Sequence, residues 1–244
     1  EDSCGFGTGR RIFAISQGGN NTTLRRTWAM FEKDTSLTGP ESAYQFAYHS
    51  DNNTLENVIG TWKQASLGDA VNPFGVMHFA NEGTNHKVLG SIAYIRSGDI
   101  INASRLIGTD WSAISHGPIT IKDVVSYTEQ SKTPIWLHNH PCTTCKFTNN
   151  TGIGGNISSI GSVWNVLNRV DVATAGSAPN IWNGAGTQGA RVCYRYENGS
   201  LTSTKLWPWP MDQRIRAALD LAGKNPDAIF GGPGKTLTDL MESI

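Results

Sequence analysis

Short β-branched segments that each carry one polar or small residue recur along the chain. Five of them align: LENVIG (55–60), VLGSIA (88–93), IKDVVSY (121–127), TCKFTNN (144–150) and VWNVLN (163–168). A polar turn follows each segment, and the spacing falls from about thirty residues to about twenty, within the range of stacked repeats. In such a stack each coil packs only on its neighbours, and equivalent inward side chains lie in rows. The repeat therefore predicts an all-β solenoid.

The remaining sequence up to residue 206 also predicts strands. Further β-branched or aromatic segments are 11–15, 43–48, 75–79, 135–137 and 191–196. Only 16% of the residues are charged and 27 are glycine, which favours strands and turns over helical bundles. A β-sandwich is the alternative, since it too has many short strands. A sandwich favours tight hairpins, however, and the only Asn-Gly pairs begin at Asn183 and Asn198.

Three of the repeated segments resemble coils of a known architecture. LENVI (55–59), IKDVV (121–125) and CKFTNNTG (145–152) are similar to coils of right-handed parallel β-helix proteins, the pectate-lyase-like superfamily. The resemblance covers roughly residues 10–206 and rests on the coil pattern. It implies the fold, but that superfamily contains polysaccharide lyases and hydrolases, phage tailspikes, adhesins and structural surface proteins. A resemblance at this level leaves the function open.

The end of the chain has a different pattern. LWPWPM (206–211) carries two prolines that interrupt regular structure. Residues 211–222 predict a helix ended by Gly223, and 236–243 predict a second short helix. We therefore expect a right-handed parallel β-helix over 1–206 and a linker with a short helical C-terminal cap over 207–244, which would cover open strand edges. No capping helix is predicted before residue 11, so we expect a further protein segment or subunit at that end.

The charge balance and the glycosylation sequons restrict the partners and the location that we expect for the protein. Lys plus Arg equals Asp plus Glu at 20 each, and this balance argues against a nucleic-acid partner, which needs a basic excess. No apolar run approaches 18 residues, so no membrane span is predicted. Seven Asn-x-Ser/Thr sequons favour an extracellular or cell/virion-surface location, although a sequence rich in Asn, Thr and Ser also produces sequons by chance. They begin at Asn20, Asn21, Asn52, Asn102, Asn149, Asn156 and Asn198.

One loop concentrates ligands of the type that zinc prefers. The four side chains, which match the four ligands of a zinc site, are His138, His140, Cys142 and Cys145. A second interpretation is a disulfide, between Cys142 and Cys145 or with another cysteine. A third places Cys145 and Phe147 inward in a coil, with the asparagines at 149–150 in the next turn. Apart from this zinc hypothesis, no cofactor is expected.

Carboxylates need attention because the resemblance includes lyases and hydrolases. Glycoside hydrolases use two carboxylates on either side of the scissile bond. Asp110 lies beside Trp111, Asp123 occupies the polar position inside a repeated segment, and Arg105 is an available base. Each acid is equally consistent with a turn or surface position.

Tryptophans are spread along the predicted solenoid. Exposed indole rings would form platforms for sugar rings, and the candidates are Trp28, Trp62, Trp111 and Trp136. The alternative is that these rings fill the core or lie under loops. Arg25 and Arg26, which precede Trp28, would hold an acidic sugar or belong simply to the surface.

These observations predict an extracellular or surface structural β-helix module. We expect it to be part of a fibre or larger assembly and to contact a polysaccharide or other glycan along its lateral face. The alternative is a polysaccharide lyase or glycoside hydrolase of the pectate-lyase-like type. A metal-dependent activity at His138 and His140 is a third hypothesis.

Overall fold

A computed structural model describes most of the strands and the C-terminal segment. The described residues are 1–8, 11–33, 41–62, 73–80, 83–95, 107–109, 117–128, 136–137, 144–153, 166–167 and 193–243. They form a mostly β structure with three short helices. None of the described helices has the length and apolar character that crossing a membrane requires.

Seventeen of the described strands form three parallel sheets. Sheet A contains β1 (Ser3–Thr8), β4 (Thr27–Lys33), β7 (Ile59–Trp62), β10 (Ile92–Ile95), β13 (Val125–Thr128) and β16 (Thr151–Ile153). Sheet B contains β2 (Arg11–Ile15), β5 (Glu41–Phe46), β8 (Pro73–Phe79), β11 (Ile107–Thr109) and β14 (Trp136–Leu137). Sheet C contains β3 (Thr23–Arg25), β6 (Thr54–Glu56), β9 (His86–Leu89), β12 (Ile119–Lys122), β15 (Lys146–Thr148) and β17 (Val166–Leu167).

The chain visits the three sheets in rotation. From β1 to β13, each strand pairs in parallel with the strand three places later, and β17 follows β15 in sheet C. The register aligns Leu55 with Val88 and Val88 with Ile121, as the repeat predicted. The row continues through Phe147. Stacked parallel sheets are therefore confirmed, and their topology is compatible with the predicted β-helix.

A row of small residues lies on the inner face of sheet A. Its members pair from strand to strand and are Gly5, Ala29, Gly60, Ala93, Ser126 and Gly152. A Cβ added at Gly60 would lie 2.4 Å from Val76 Cγ1 and 3.3 Å from Tyr44 Cδ2, both on sheet B. Sheets A and B therefore approach closely because this row lacks bulk.

Three segments predicted as single strands contain a corner. Asn57, Gly90 and Asp123 have φ values of 55°, 51° and 56°, in the left-handed region that Gly, Asn and Asp tolerate best. Each lies between a strand of sheet C and the next strand of sheet A. The polar or small residue inside each repeated segment therefore ends one strand, and a new strand starts two residues later in another sheet. Treating each segment as one strand was wrong for this reason.

The C-terminal segment packs on the outer face of sheet A. Its helices are α1 (Asp212–Leu221), α2 (Pro226–Phe230) and α3 (Leu237–Ser243). The first and third were predicted, whereas α2 was missed: its cap is the Asn225 side chain, which accepts a hydrogen bond from the Asp227 amide. Trp207 and Trp209 pack on Trp28, with ring centroids 5.1 and 5.8 Å apart. These contacts are lateral, and the role of an end cap stays a prediction.

We predict that Gly60→Ala lowers the free energy of unfolding by about 1–3 kcal/mol, a typical cost of overpacking a core. The reason is that the new methyl group would overlap Val76 and force sheets A and B apart. Denaturant unfolding measures this change. Ser126→Ala, in the same row, adds no atom and is the control. Equal stability of Gly60→Ala and the parent chain would contradict the close approach.

Candidate functional site

A β-hairpin covers the row of corners. It consists of β18 (Tyr194–Glu197) and β19 (Ser200–Lys205), which pair in an antiparallel manner. Asn198 and Gly199 join them with φ values of 50° and 77°, as expected for a two-residue hairpin of type I′. The sequence had identified this Asn-Gly pair, but had assigned the preceding strand to the solenoid.

The hairpin is held to the corners by specific contacts. The Asn57 side chain donates to the Tyr196 carbonyl and accepts from the Tyr196 amide. At the next corner, a Cβ on Gly90 would lie 3.0 Å from Tyr196 Cβ, so the hairpin packs tightly against the backbone of this glycine. The buried Cys193 thiol contacts the carbonyl oxygen of Asp123 at 3.4 Å. The hairpin position therefore depends on three successive corners.

A polar cleft lies where the hairpin meets the first strands of sheet C and helix α1. Its volume is about 320 Å³, within the usual range for small-molecule sites. The lining residues are Arg25, Arg26, Glu56, Arg195, Tyr196, Glu197, Asn198, Gly199 and Arg214. Sites at the junction of separate structural units are common binding places, and this cleft is the candidate site.

Ion pairs fix the arginines on the sheet side of the cleft. Arg25 Nε donates to Glu56 Oε1 at 2.7 Å, and Arg25 Nη1 donates to Glu1 Oε1 at 2.8 Å. Arg26 donates to both oxygens of Asp2, at 2.6 and 2.9 Å. Arg26 itself has a φ of 51°, a left-handed conformation uncommon for a long side chain. The paired carboxylates therefore hold both guanidinium groups in place.

The pKa values follow from these pairs. The hydrogen bond from Arg26 is the largest cause that lowers the pKa of Asp2, and burial opposes it in part. The charge of Arg26 lowers the pKa of Glu1. The hydrogen bond with Asp2 in turn raises the pKa of Arg26. All these groups are therefore charged near neutral pH.

The hairpin and helix side of the cleft adds two further arginines. Arg195 Nη2 lies 2.5 Å from Glu197 Oε1, and Arg214 Nη1 lies 3.1 Å from Asp2 Oδ2. Arg195 Nε is buried and has no hydrogen-bond partner in the described part of the chain. Four arginines and four carboxylates thus meet here. The cleft offers many donors and acceptors with balanced charge, a combination suited to hydroxyl groups, which donate and accept hydrogen bonds.

The sequence could have indicated part of this cleft. It singled out Arg25 and Arg26 but missed Glu56, Arg195 and Arg214. Two signals were present: the register of the repeats places Glu56 beside Arg25, and the Asn-Gly turn fixes the hairpin that carries Arg195. The position of Arg214 depends on how the helical segment packs, which no local pattern reveals.

The tryptophan prediction needs correction. Trp28 and Trp62 are both 0% exposed. Trp28 lies under Trp207 and Trp209, and Trp62 stacks on Phe31 with ring centroids 4.2 Å apart. Neither ring offers a face to a sugar, because the outer face of sheet A is covered and the inner face is core. Trp111 lies outside the described residues, and Trp136 is described only as backbone in β14.

Of the three catalytic candidates, only Asp123 lies within the described residues. Asp123 is buried at a corner, and its Oδ1 accepts a hydrogen bond from the Asn149 side chain. This contact gives Asp123 a structural role in stacking successive corners. Asp110 and Arg105 lie outside the described residues.

Cys145 cannot serve as a ligand in the predicted metal site. This residue is disulfide-bonded, whereas Cys4 and Cys193 are free. A disulfide sulfur is not a thiolate ligand. Cys145 and Phe147 both belong to the core, so the inward placement predicted for them is confirmed. His138, His140 and Cys142 lie outside the described residues, and within the described part no three metal-binding side chains form a cluster.

We predict that Asp2→Asn destabilises the chain at neutral pH by no more than about 1 kcal/mol, because the ion pairs are partly exposed. The folded-state pKa of Asp2 is lowered, so its contribution is present above the unfolded-state pKa and is lost as pH falls through the folded-state pKa. Unfolding measured from pH 7 into the acid range checks this.

The exposed Asp220→Asn is the matched control for the Asp2 experiment. The difference between the Asp2 variant and the parent should shrink towards zero as the solution is acidified. A difference that stays constant over the whole range would contradict an ion-pair origin.

Comparison with known proteins gives no relative for this chain. No protein-family model, no curated protein and no solved structure matches it.

Proposed function

We propose that the three sheets form a right-handed parallel β-helix. The support is the rotation of the chain through sheets A, B and C, with parallel pairing between successive visits. Crossovers between parallel strands are right-handed in nearly all proteins, so the hand follows from the topology. In this proposal each set of three strands is one coil.

The same proposal places the chain in an extracellular or surface structure. Disulfides persist in oxidising compartments, and Cys145 is disulfide-bonded. Four of the sequon asparagines are exposed turn residues, where a glycan could be attached; they are Asn20, Asn21, Asn52 and Asn198. The disulfide and the exposed sequons together support an extracellular or surface location.

The N-terminal strands support a role in a larger assembly. β1, β2 and β3 are the edge strands of sheets A, B and C at the same end. Leu24 and Phe13 are only partly buried, whereas their register partners Leu55 and Tyr44 are 2% and 1% exposed. Edge strands with apolar neighbours are templates for further pairing. A further segment or subunit would bury these side chains.

The function that this geometry supports best is that of a structural module that binds a glycan in the polar cleft. One observation carries the proposal: guanidinium and carboxylate groups from the sheet, the hairpin and the helix converge on a single cavity. Planar side chains of these two types donate and accept hydrogen bonds in pairs, which suits neighbouring hydroxyls of a sugar. Salt bridges within the cleft hold these groups in place before a ligand arrives.

The test is binding of the intact chain to a panel of neutral and acidic oligosaccharides by calorimetry. We expect Arg195→Gln and Glu197→Gln each to weaken binding by at least about tenfold, since one charged hydrogen bond is worth roughly 1.5–3 kcal/mol. Arg216→Gln is the matched control, because Arg216 pairs with Asp227 outside the cleft. Failure of every glycan to bind, or equal loss in the control, would overturn the proposal.

The same samples test the enzymatic alternative. Polysaccharides incubated with the chain are analysed for new reducing ends and for the unsaturated ends that a lyase produces. A structural module releases no fragments. If the parent chain released fragments and the Glu197→Gln variant did not, the protein would be a hydrolase or lyase and not a structural module.

A further inference from the structure

Three parts of the C-terminal segment meet at one carboxylate. Asp212 is the first residue of α1, and its Oδ2 accepts a hydrogen bond from the Thr238 hydroxyl of α3 at 3.3 Å. The Thr238 hydroxyl oxygen in turn accepts from the backbone amide of Trp209 at 3.0 Å. Trp209 packs on Trp28 of sheet A. A chain of hydrogen bonds therefore joins α1 and α3 to the residue that anchors them on the sheet.

The surroundings of the Asp212 carboxylate are largely apolar. Met211, Ile215 and Leu237 are buried and belong to the cluster that covers the outer face of sheet A. Asp212 Oδ1 is itself buried and has no hydrogen-bond partner in the described part of the chain. A buried acceptor without a partner costs stability, and the cost is larger when the group carries a charge. A neutral carboxyl group therefore fits this position better than a carboxylate.

Two other titratable groups face Asp212 from the elements packed against it. They are the Cys4 thiol on β1 and the Asp239 carboxylate on α3. Burial, followed by the charge of Asp212, raises the pKa of Cys4, so this thiol is neutral at and below neutral pH. The hydrogen bond from the Thr236 side chain lowers the pKa of Asp239, so Asp239 remains charged in mild acid. Asp212 is therefore the one of these three groups that changes its charge in mild acid.

The arginines of α1 are engaged with other carboxylates. Arg214 pairs with Asp2 on β1, and Arg216 pairs with Asp227 on α2. Among the described residues, no cation forms an ion pair with Asp212. The charged form of this carboxyl group thus lacks compensation.

The pKa of Asp212 changes in the direction that this environment requires. Burial is the largest cause that raises the pKa of Asp212, and the charge of Asp239 adds to it, while hydrogen bonds from Leu237 and Thr238 oppose it in part. When the pKa of an acid is higher in the folded state than in the unfolded state, the folded state binds the proton more tightly. The resulting stabilisation is fully present below the unfolded-state pKa and is lost as pH rises through the folded-state pKa. Acidification from neutral pH therefore favours the packed arrangement of α1 and α3.

We propose that the C-terminal segment, residues 206–243, is a clamp that tightens on sheet A in mild acid when Asp212 takes up a proton. At neutral pH the charged carboxylate opposes the packing of α1 and α3, so these helices open locally more often. A proton on Oδ1 removes the charge and leaves Oδ2 free to keep its hydrogen bond with Thr238. Because α1 also carries Arg214, which lines the cleft, the clamp includes one wall of the candidate site. The inference concerns the protein alone and does not depend on glycan binding.

The ion pair between Arg214 and Asp2 sets the lower limit of the pH range in which the clamp is tight. The hydrogen bond from Arg26 is the largest cause that lowers the pKa of Asp2. Asp2 therefore stays charged while Asp212 becomes protonated, and the contact between α1 and β1 is lost only at lower pH. The clamp is tightest between the two titrations.

Hydrogen exchange of the intact chain, followed by mass spectrometry, tests the clamp. Protection is measured from about pH 7.5 to about pH 4.5, with the intrinsic exchange rate corrected at each pH, because local opening reports local stability. We expect the protection of amides in α1 and α3 to rise at least about twofold on acidification. Strands β5 and β12, which lie in sheets B and C, are the internal reference and should not change.

The test variant is Asp212→Asn, which has nearly the same shape and no charge. We expect its α1 and α3 to be at least as protected at neutral pH as those of the parent, and their protection to be independent of pH. The control is Asp220→Asn on the same helix, since Asp220 is exposed. This control should respond to pH like the parent.

Three results would overturn the inference. The first is a parent chain whose α1 and α3 are equally protected at both ends of the pH range. The second is a pH response that persists in Asp212→Asn or disappears in Asp220→Asn. The third is lower protection of α1 and α3 in Asp212→Asn than in the parent at neutral pH, since the charged carboxylate would then hold the helices. If Asp212→Asn does not fold, the parent decides: a rise shared equally by β5 and β12 contradicts the clamp, and a rise confined to the C-terminal segment supports it.

Discussion

The left-handed corner between sheets C and A is the constraint on which the rest of the structure depends. Asn57, Gly90 and Asp123 each turn the chain within two residues, and Asn149 repeats the conformation with a φ of 55°. Because the corners have the same length, the strands before and after them keep one register, and inward side chains stack in rows. The hairpin uses the same corners as its docking surface, through Asn57 and the space left at Gly90.

The repeated strands and the terminal helices could be predicted from the sequence because they depend on local patterns. Alternation placed Leu55, Val88 and Ile121 in one row, and the register confirms this. The corners were missed, although a residue that tolerates positive φ at one repeated position is their signal. The burial of Trp28 could not be predicted, since it depends on Trp207, which is remote in sequence. The cleft depends on equally distant contacts.

Charge pairing and charge spacing divide the polar surface into two regions. In the cleft each arginine lies beside a carboxylate, so the groups are ordered and the net charge is small. On the outer face of sheet C the lysines at 87, 122 and 146 lack such partners among the described residues, and they lie on three successive strands. Both regions follow from the same register, because it brings Glu56 beside Arg25 and places Lys87 and Lys146 in one row.

Distances between labels on the outer face of sheet C test the stacked architecture most directly. Spin labels introduced as non-cysteine amino acids at Thr23 and Lys146, four strands apart, are compared with labels at Thr23 and Lys87, two strands apart. Parallel stacking in this order predicts that the first distance exceeds the second by about 10 Å, which is two strand spacings. Equal distances, or a longer distance for the nearer pair, would contradict parallel stacking in this order.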